Sequence, residues 1–289
     1  MVTLIIGGMM LSRKIAVAII HGIGTQKEDF ALRMEKKLRK RFIKQLKKLK
    51  PNVQEPESQL VIKPICWADT FAEPENILWE KFQSEKLDYK LLRNAMIHVL
   101  ADAIAYQRSP SQKNFYKKIH MRIDEKLNEL ACETGDVEAP LCVIAHSLGT
   151  VITSDHFYDL QQGKRIADPL DNPLVKGETL TLFYTMGSPI ALWSISYDEF
   201  DKPIEVPAKR IKEYYPNTGE WINFYDKDDI IAYPLDPLYG SQYVKDRQAA
   251  VGGLLTGWNP LSHSQYWTAN QVITPIVNGL IKTWLEVNK

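Results

Sequence analysis

Cysteine is scarce in this chain of 289 residues: Cys66, Cys132 and Cys142 are the only three. An odd count at such wide spacing excludes a disulfide framework and gives no pair the spacing of a metal site. Buried, reduced thiols and a reducing, cytoplasmic setting are therefore expected. A dominant charge of one sign is also missing. Lys and Arg total 36 against 35 Asp and Glu, a formal net charge of +1, so no nucleic-acid or membrane partner is expected for the chain as a whole. The apolar opening, MVTLIIGGMMLSRK, is too short to span a bilayer. With no basic segment ahead of it, it makes a poor signal peptide. It reads as an edge strand or as sequence ahead of a later start at Met9 or Met10. There is no internal repeat and no low-complexity tract. What remains is 45% hydrophobic, enough for a sizeable core, and a single domain over 1–289 is expected.

Apolar β-type runs alternate with helical patterns, which argues for a mostly parallel sheet covered by helices on both faces. KIAVAIIHGIG reads as a strand entering a glycine-flanked turn, and residues from about 27 to 50 read as a helix stopped by Pro51. LVIKPICWA is the next strand. A long helical region follows from about 75 to 132, with Leu87, Leu91, Ala95, Val99 and Ala103 marking one face of its middle helix. Further strands lie in PLCVIAH, TLTLFYTM and WINFY, and a closing helix runs from about 269 to 287.

PLCVIAHSLGTVITSDHF, residues 140–157, carries the chemistry. A buried strand ends at Ala145-His146-Ser147-Leu148-Gly149, and Val151, Ile152, Phe157 and Leu160 then recur at helical spacing. This is a variant of the G-x-S-x-G nucleophile elbow, whose strained turn needs small residues two positions to each side of the serine. Gly149 supplies one, and Ala145 stands in place of the first glycine. The plainer alternative is a serine that only caps the helix.

A serine hydroxyl needs a base, an orienting carboxylate and oxyanion donors. The elbow's usual chain order puts acid and then histidine downstream. Of the 6 histidines, only His156 and His263 follow Ser147. His156 lies about two and a half helical turns beyond the serine and points away from it, so it reads as a packing residue. His263, in the loop NPLSHSQYW, is the candidate base. NFYDKDDII offers Asp226, Asp228 and Asp229. Asp229 is preferred because the following Ile230-Ile231 should anchor it inward, with Asp226 next. The backbone N–H of Leu148, at the positive end of the elbow helix, is one candidate oxyanion donor. Ile23 in the HGIG turn is the second, with Gly24 as alternate. His21 reads as a brace for that turn.

With these residues in place, the chain resembles the α/β-hydrolase superfamily, and within it the lipase-type and esterase-type members. HGIG resembles their oxyanion turn and AHSLG their elbow. DDII followed by SHSQYW resembles the acid and histidine pattern of class 3 lipases. The resemblance implies an α/β-hydrolase fold and a Ser147–His263–Asp229 triad that hydrolyses a carboxylic ester, from a small molecule or a lipid, through an acyl-enzyme with no metal or organic cofactor. Thioester and amide cleavage use the same parts, and a non-catalytic interaction protein retaining the elbow is the rival class. The helical insertion at 70–138 and the proline-containing segment 190–219 are candidate coverings. The opening antiparallel strands of that fold are expected to be absent or reduced, and the strand between acid and histidine has only SQYVKDRQAAVGG as a weak candidate. Trp193, Tyr197, Trp258, Tyr266 and Trp267 lie near the proposed site and read equally as lipid contacts or as packing.

The helix at 33–50 packs Leu38, Phe42, Leu46 and Leu49 on one stripe. Its other faces carry ten Lys and Arg residues, from Arg33 to Lys50, with Glu35 the single acid. A solvated face and a weak contact with an anionic surface both fit this pattern.

Overall fold

The computed structural model describes residues 12–22, 29–67, 113–164, 172–197, 202–251 and 262–289, together with 5–6, 9–10 and positions 70, 77, 80 and 106. Its first long strand, β1 (Ile15–Ile20, IAVAII), is buried along its whole length. Successive strand side chains point to opposite faces, so such a run must meet a helical layer on each side. One face of β1, formed by Ala16, Ala18 and Ile20, joins a core with α2 (Lys113–Thr134) and α3 (Leu148–Gln161) through Ile119, Ile123, Leu127, Val151 and Ile152. The other, formed by Ile15, Val17 and Ile19, packs on α1 (Leu32–Leu49) and α4 (Asn270–Val287) through Met34, Leu38, Phe42, Ile273, Ile276 and Leu280. The result is an α/β protein of three layers.

The remaining strands of the central sheet are β2 (Leu60–Ile65), β3 (Leu141–His146), β4 (Leu180–Met186), β5 (Glu220–Tyr225) and β6 (Lys245–Gln248). Their order is β2-β1-β3-β4-β5-β6, and every pairing is parallel. Pro64 is accommodated because β2 is an edge strand, where a missing N–H need not break a ladder on both sides. The chain leaves β1 toward β2 and then returns to the other flank of β1 as β3. The carboxyl ends of β1 and β3 therefore form a topological switch point, where open α/β sheets place their ligand crevice. Gly22 and Ser147 sit at those two strand ends.

Several expectations are corrected. Helix α1 starts at Leu32 rather than near 27, after a turn closed by Leu32 N–H donating to Asp29 O at 3.1 Å. It stops at Leu49 because Lys50, preceding Pro51, is held out of the helical region at φ −133°. Of the three free cysteines only Cys142 is buried; Cys66 is half-buried and Cys132 is exposed. The weak strand candidate after the acid is real: Lys245–Gln248 pairs in parallel with β5. The N-terminal antiparallel pair, Ile5–Ile6 with Met9–Met10, stands apart from the central sheet. The later half of the 190–219 segment cannot cover the proposed site. Ala208 donates to Leu180 O at 2.8 Å, and Arg210 pairs with Glu138 and Glu178, all at the amino ends of β3 and β4. Of the 70–138 insertion, the helix Lys113–Thr134 packs on the sheet face, and most of the rest lies outside the described residues. Among the described residues no helix is long and apolar enough to cross a membrane.

Candidate active site

The elbow begins with how β3 stops. After His146 the chain turns at Ser147, which adopts φ 53° and ψ −132°. This conformation is costly for a residue with a Cβ and persists only where the surroundings enforce it. Two contacts do so. Ser147 N–H donates to Met186 O on β4 at 2.9 Å. Helix α3 starts at once and presses Gly149 so close to β1 that any Cβ there would overlap the His21 carbonyl. Ser147 Oγ makes no capping hydrogen bond to α3, so the serine is not serving as a helix cap. It is 2% exposed and leans on Gly22, where a Cβ would lie 3.0 Å from Oγ. Leu148 is the first residue of α3, so its N–H has no carbonyl one turn earlier in the helix to bond. Ile23 and Gly24 lie outside the described residues.

His263 reaches this corner from a 3₁₀ turn, Ser262–Thr268, just ahead of α4. Its ring lies over Gly187 at the end of β4, where a Cβ would come within 2.9 Å of Cε1. The φ of 58° at Gly187 also favours glycine. His146, the residue before the serine, donates from Nε2 to the backbone carbonyl of His263 at 2.6 Å, and the two rings are 4.7 Å apart. Burial, together with the neighbouring His263, lowers the His146 pKa to about 3. His146 is therefore a neutral clamp between elbow and histidine loop.

Nδ1–H of His263 donates to Asp229 Oδ2 at 2.7 Å. That bond fixes the tautomer and leaves Nε2 as a bare acceptor. Nε2 is buried and, among the described residues, has no hydrogen-bond partner, Ser147 Oγ included. Asp229 follows β5. Its Oδ1 accepts from Ile231 N–H at 3.1 Å, and its Oδ2 accepts from Tyr266 Oη at 3.0 Å as well as from His263. Burial by itself would raise the Asp229 carboxyl, but the bond from His263, helped by Ile231 and Tyr266, outweighs it and holds the pKa below the usual value. Asp226 is a brace: its Oδ1 accepts from Asp228 N–H at 3.1 Å and its Oδ2 from Val251 N–H at 2.6 Å.

The structure thus brings Ser147, His263 and Asp229 to the carboxyl edge of β3, β4 and β5. The expected apolar anchor at Ile230-Ile231 is not the cause: Ile230 is 82% exposed and Ile231 is only half-buried. Polar contacts draw the carboxylate inward. Three supporting roles escaped sequence reasoning. Tyr266 follows His263 by three positions, the spacing that eclipses side chains in a 3₁₀ turn, so both meet the same carboxylate. Asp246 on β6 fixes the acid loop, accepting from Asn223 Nδ2, Leu235 N–H and Asp236 N–H at 2.7–2.9 Å. His146 carried no local signal of its role.

His21 does brace the first turn. It donates from Nδ1 to Gly22 O at 2.6 Å, accepts from Trp67 N–H at 3.1 Å, and stacks on the Trp67 ring at 5.0 Å. His156 is buried against His120 and Phe157, as a packing residue would be. The described aromatic residues of that set are committed to the framework. Tyr197 donates to Asp155 Oδ1 at 2.7 Å, and Trp267 packs between Phe30 and His146. Trp258 lies outside the described residues. Among the described residues no group of three or more His, Cys, Asp or Glu side chains is arranged to hold a metal ion. No family model and no curated protein matches the chain.

Proposed function

We propose that this protein is a serine hydrolase of the α/β-hydrolase type, cleaving a carboxylic ester through an acyl-enzyme. One observation carries the reading: a carboxylate-oriented histidine with a bare, buried Nε2 beside a strained serine at a parallel-sheet switch point. Most buried ring nitrogens are hydrogen-bonded, so an open Nε2 on an imidazole already oriented by a carboxylate supports a role as proton acceptor.

In the proposed reaction Ser147 Oγ attacks the ester carbonyl carbon while His263 Nε2 takes the hydroxyl proton. The carbonyl oxygen becomes the oxyanion, facing the Leu148 N–H and a donor from Ile23 or Gly24. Collapse breaks the carbon–oxygen bond to the alcohol, which leaves with the proton from Nε2. Water then repeats the sequence on the acyl-serine, releasing the acid and restoring Ser147. Asp229 stays ionised and stabilises the imidazolium formed at each step. The lack of a hydrogen bond to His263 Nε2 is compatible with this scheme, because catalytic hydrogen bonds can form or tighten only when substrate arrives.

The decisive measurement is labelling of the folded protein by a fluorophosphonate, with peptide mapping. Ser147 should carry the label, Ser147→Ala should carry none, and His263→Ala should label at least about a thousandfold more slowly. A well-folded protein that does not label at Ser147 would leave the non-catalytic reading. Assays of matched ester, thioester and amide substrates then rank the acyl groups; an ester slower than both would overturn the substrate class.

A further inference from the structure

The exposed face of α1 is a second functional surface: we propose that it docks the protein on an anionic lipid surface. Such docking does not depend on whether Ser147 is a nucleophile.

Packing decides which way the charges point. Met34, Leu38, Phe42 and Leu46 are buried against the sheet and α4, so the opposite side of the helix must face outward. Six exposed residues occupy that side: Arg33, Lys36, Lys40, Lys44, Lys47 and Lys48. They form a row about 22 Å long. The other three cations of the helix are already engaged. Lys37 donates to Thr268 O at 2.6 Å, Arg39 pairs with Glu35 and donates to Leu60 O, and Arg41 donates to Asn270 and Thr274 on α4. Arg39 thereby neutralises the single carboxylate of α1, at 2.9 Å. Among the described residues the row meets one further acid, exposed Glu57 beside Lys47 at 3.1 Å. The flank toward α4 is neutral: Asn270, Thr274 and Asn278 line it, with Lys282 one turn further.

The segregation is strong for a nearly neutral protein. Nine of the 36 cations and one of the 35 acids lie in this one helix, which leaves the remainder net negative. Charge complementarity therefore selects an anionic partner for this face and repels it elsewhere. The row's chemistry selects among anions. Five of the six are lysines, point charges on flexible stems suited to a field of phosphates rather than to bidentate readout of base edges. No aromatic side chain stands in the row to stack a base. A flat array of lipid headgroups is what remains. The location gives the contact a use: Phe30, two residues ahead of α1, packs on His21 and Trp267 at the rim of the candidate active site. A bound surface would thus lie on the side of the fold where the amino end of α1 approaches His21.

Sedimentation of the full chain with vesicles tests the proposal. Vesicles of phosphatidylcholine alone are compared with vesicles containing about 30% phosphatidylserine, at about 50 mM and about 500 mM salt. Binding is expected only to the anionic vesicles at low salt. Replacing Lys36, Lys40, Lys44 and Lys48 with Gln should weaken it by at least about a hundredfold, since each cation near such a surface contributes about fivefold. Gln keeps the helix propensity, and circular dichroism verifies folding. A control replaces exposed Lys117, Lys118, Lys209 and Lys245 with Gln and should bind as the wild type does. The proposal is overturned by absence of binding to anionic vesicles at low salt, by equal losses in the two quadruple variants, or by tighter binding to duplex DNA than to the vesicles.

Discussion

At the residue scale, the site depends on one carboxylate with two functional partners. Tyr266 Oη donates to Asp229 and accepts from Asp226 N–H at 2.9 Å, so Tyr266→Phe removes two bonds at once. Stability should fall by about 1–3 kcal/mol, the cost of a buried N–H left unpaired. On the proposed function, ester turnover should fall about tenfold, the rate equivalent of one hydrogen bond to a charged group, because His263 still binds the carboxylate. Urea melts and steady-state kinetics check both, and a variant unchanged in either would remove Tyr266 from the site. His146 makes a separate prediction about pH. Its pKa is lowered from 6.5 to about 3 in the folded protein. Between those values the unfolded chain binds a proton that the folded one does not, so this residue makes stability fall as pH drops, by about 1.4 kcal/mol per pH unit. In His146→Gln the side-chain amide can still donate to the His263 carbonyl but does not titrate. The loss of unfolding free energy between about pH 6.5 and pH 4.5 should then be smaller than in the wild type by about 2–3 kcal/mol. Equal losses in the two proteins would contradict the clamp.

At the scale of elements, the acid loop is only as well placed as the edge strand that holds it. Asp246 on β6 makes three hydrogen bonds across the loop from Asn223 to Asp236. Asp246→Ala should cost about 2–4 kcal/mol and slow the labelling of Ser147, while Asp246→Asn, which keeps the Oδ1 acceptor, should recover most of both. An Asn variant as damaged as the Ala variant would point to charge rather than to geometry. This edge also shows what a sequence hides. Strands β1, β3 and β4 are legible because both of their faces are buried and they read as unbroken apolar runs. Strand β6 is KDRQ and largely exposed, so no apolar period marks it, and polar edges of this kind are how sheets avoid pairing with other chains. The elbow was legible because its demands are local: a strand, a small residue at 149 and a helix. His263 was legible because few histidines follow Ser147. Asp229 is not held by an apolar anchor at Ile230-Ile231; besides the Ile231 N–H, the side chains that place it lie 34 and 37 positions away, which no local pattern encodes.

Across the whole molecule, the candidate site and the ion-pair staples sit at opposite ends of the sheet. The carboxyl end holds the costly features: a serine at positive φ, an unpartnered imidazole nitrogen and a buried carboxylate. The amino end is stapled. Arg13, just ahead of β1, pairs with Asp136 at 2.8 Å and donates to Tyr215 Oη at 3.2 Å, and its backbone exchanges hydrogen bonds with Asn288 at the end of the chain. Glu138 and Glu178 meet Arg210 at the same pole, and those carboxylates hold its guanidinium pKa above the ordinary value. Local stability is not uniform in proteins, and strain at one site must be offset by contacts elsewhere. If the poles are separable in this way, Arg13→Ala should lower the unfolding free energy by about 1–3 kcal/mol, as expected for a largely buried ion pair that loses one partner beside others that persist. The rate of Ser147 labelling, measured well below the unfolding midpoint, should stay within about twofold, since sites this far apart act additively. A variant that melts like the wild type but labels far more slowly would show that the amino pole sets the geometry of the serine, and that the two ends cannot be treated as independent.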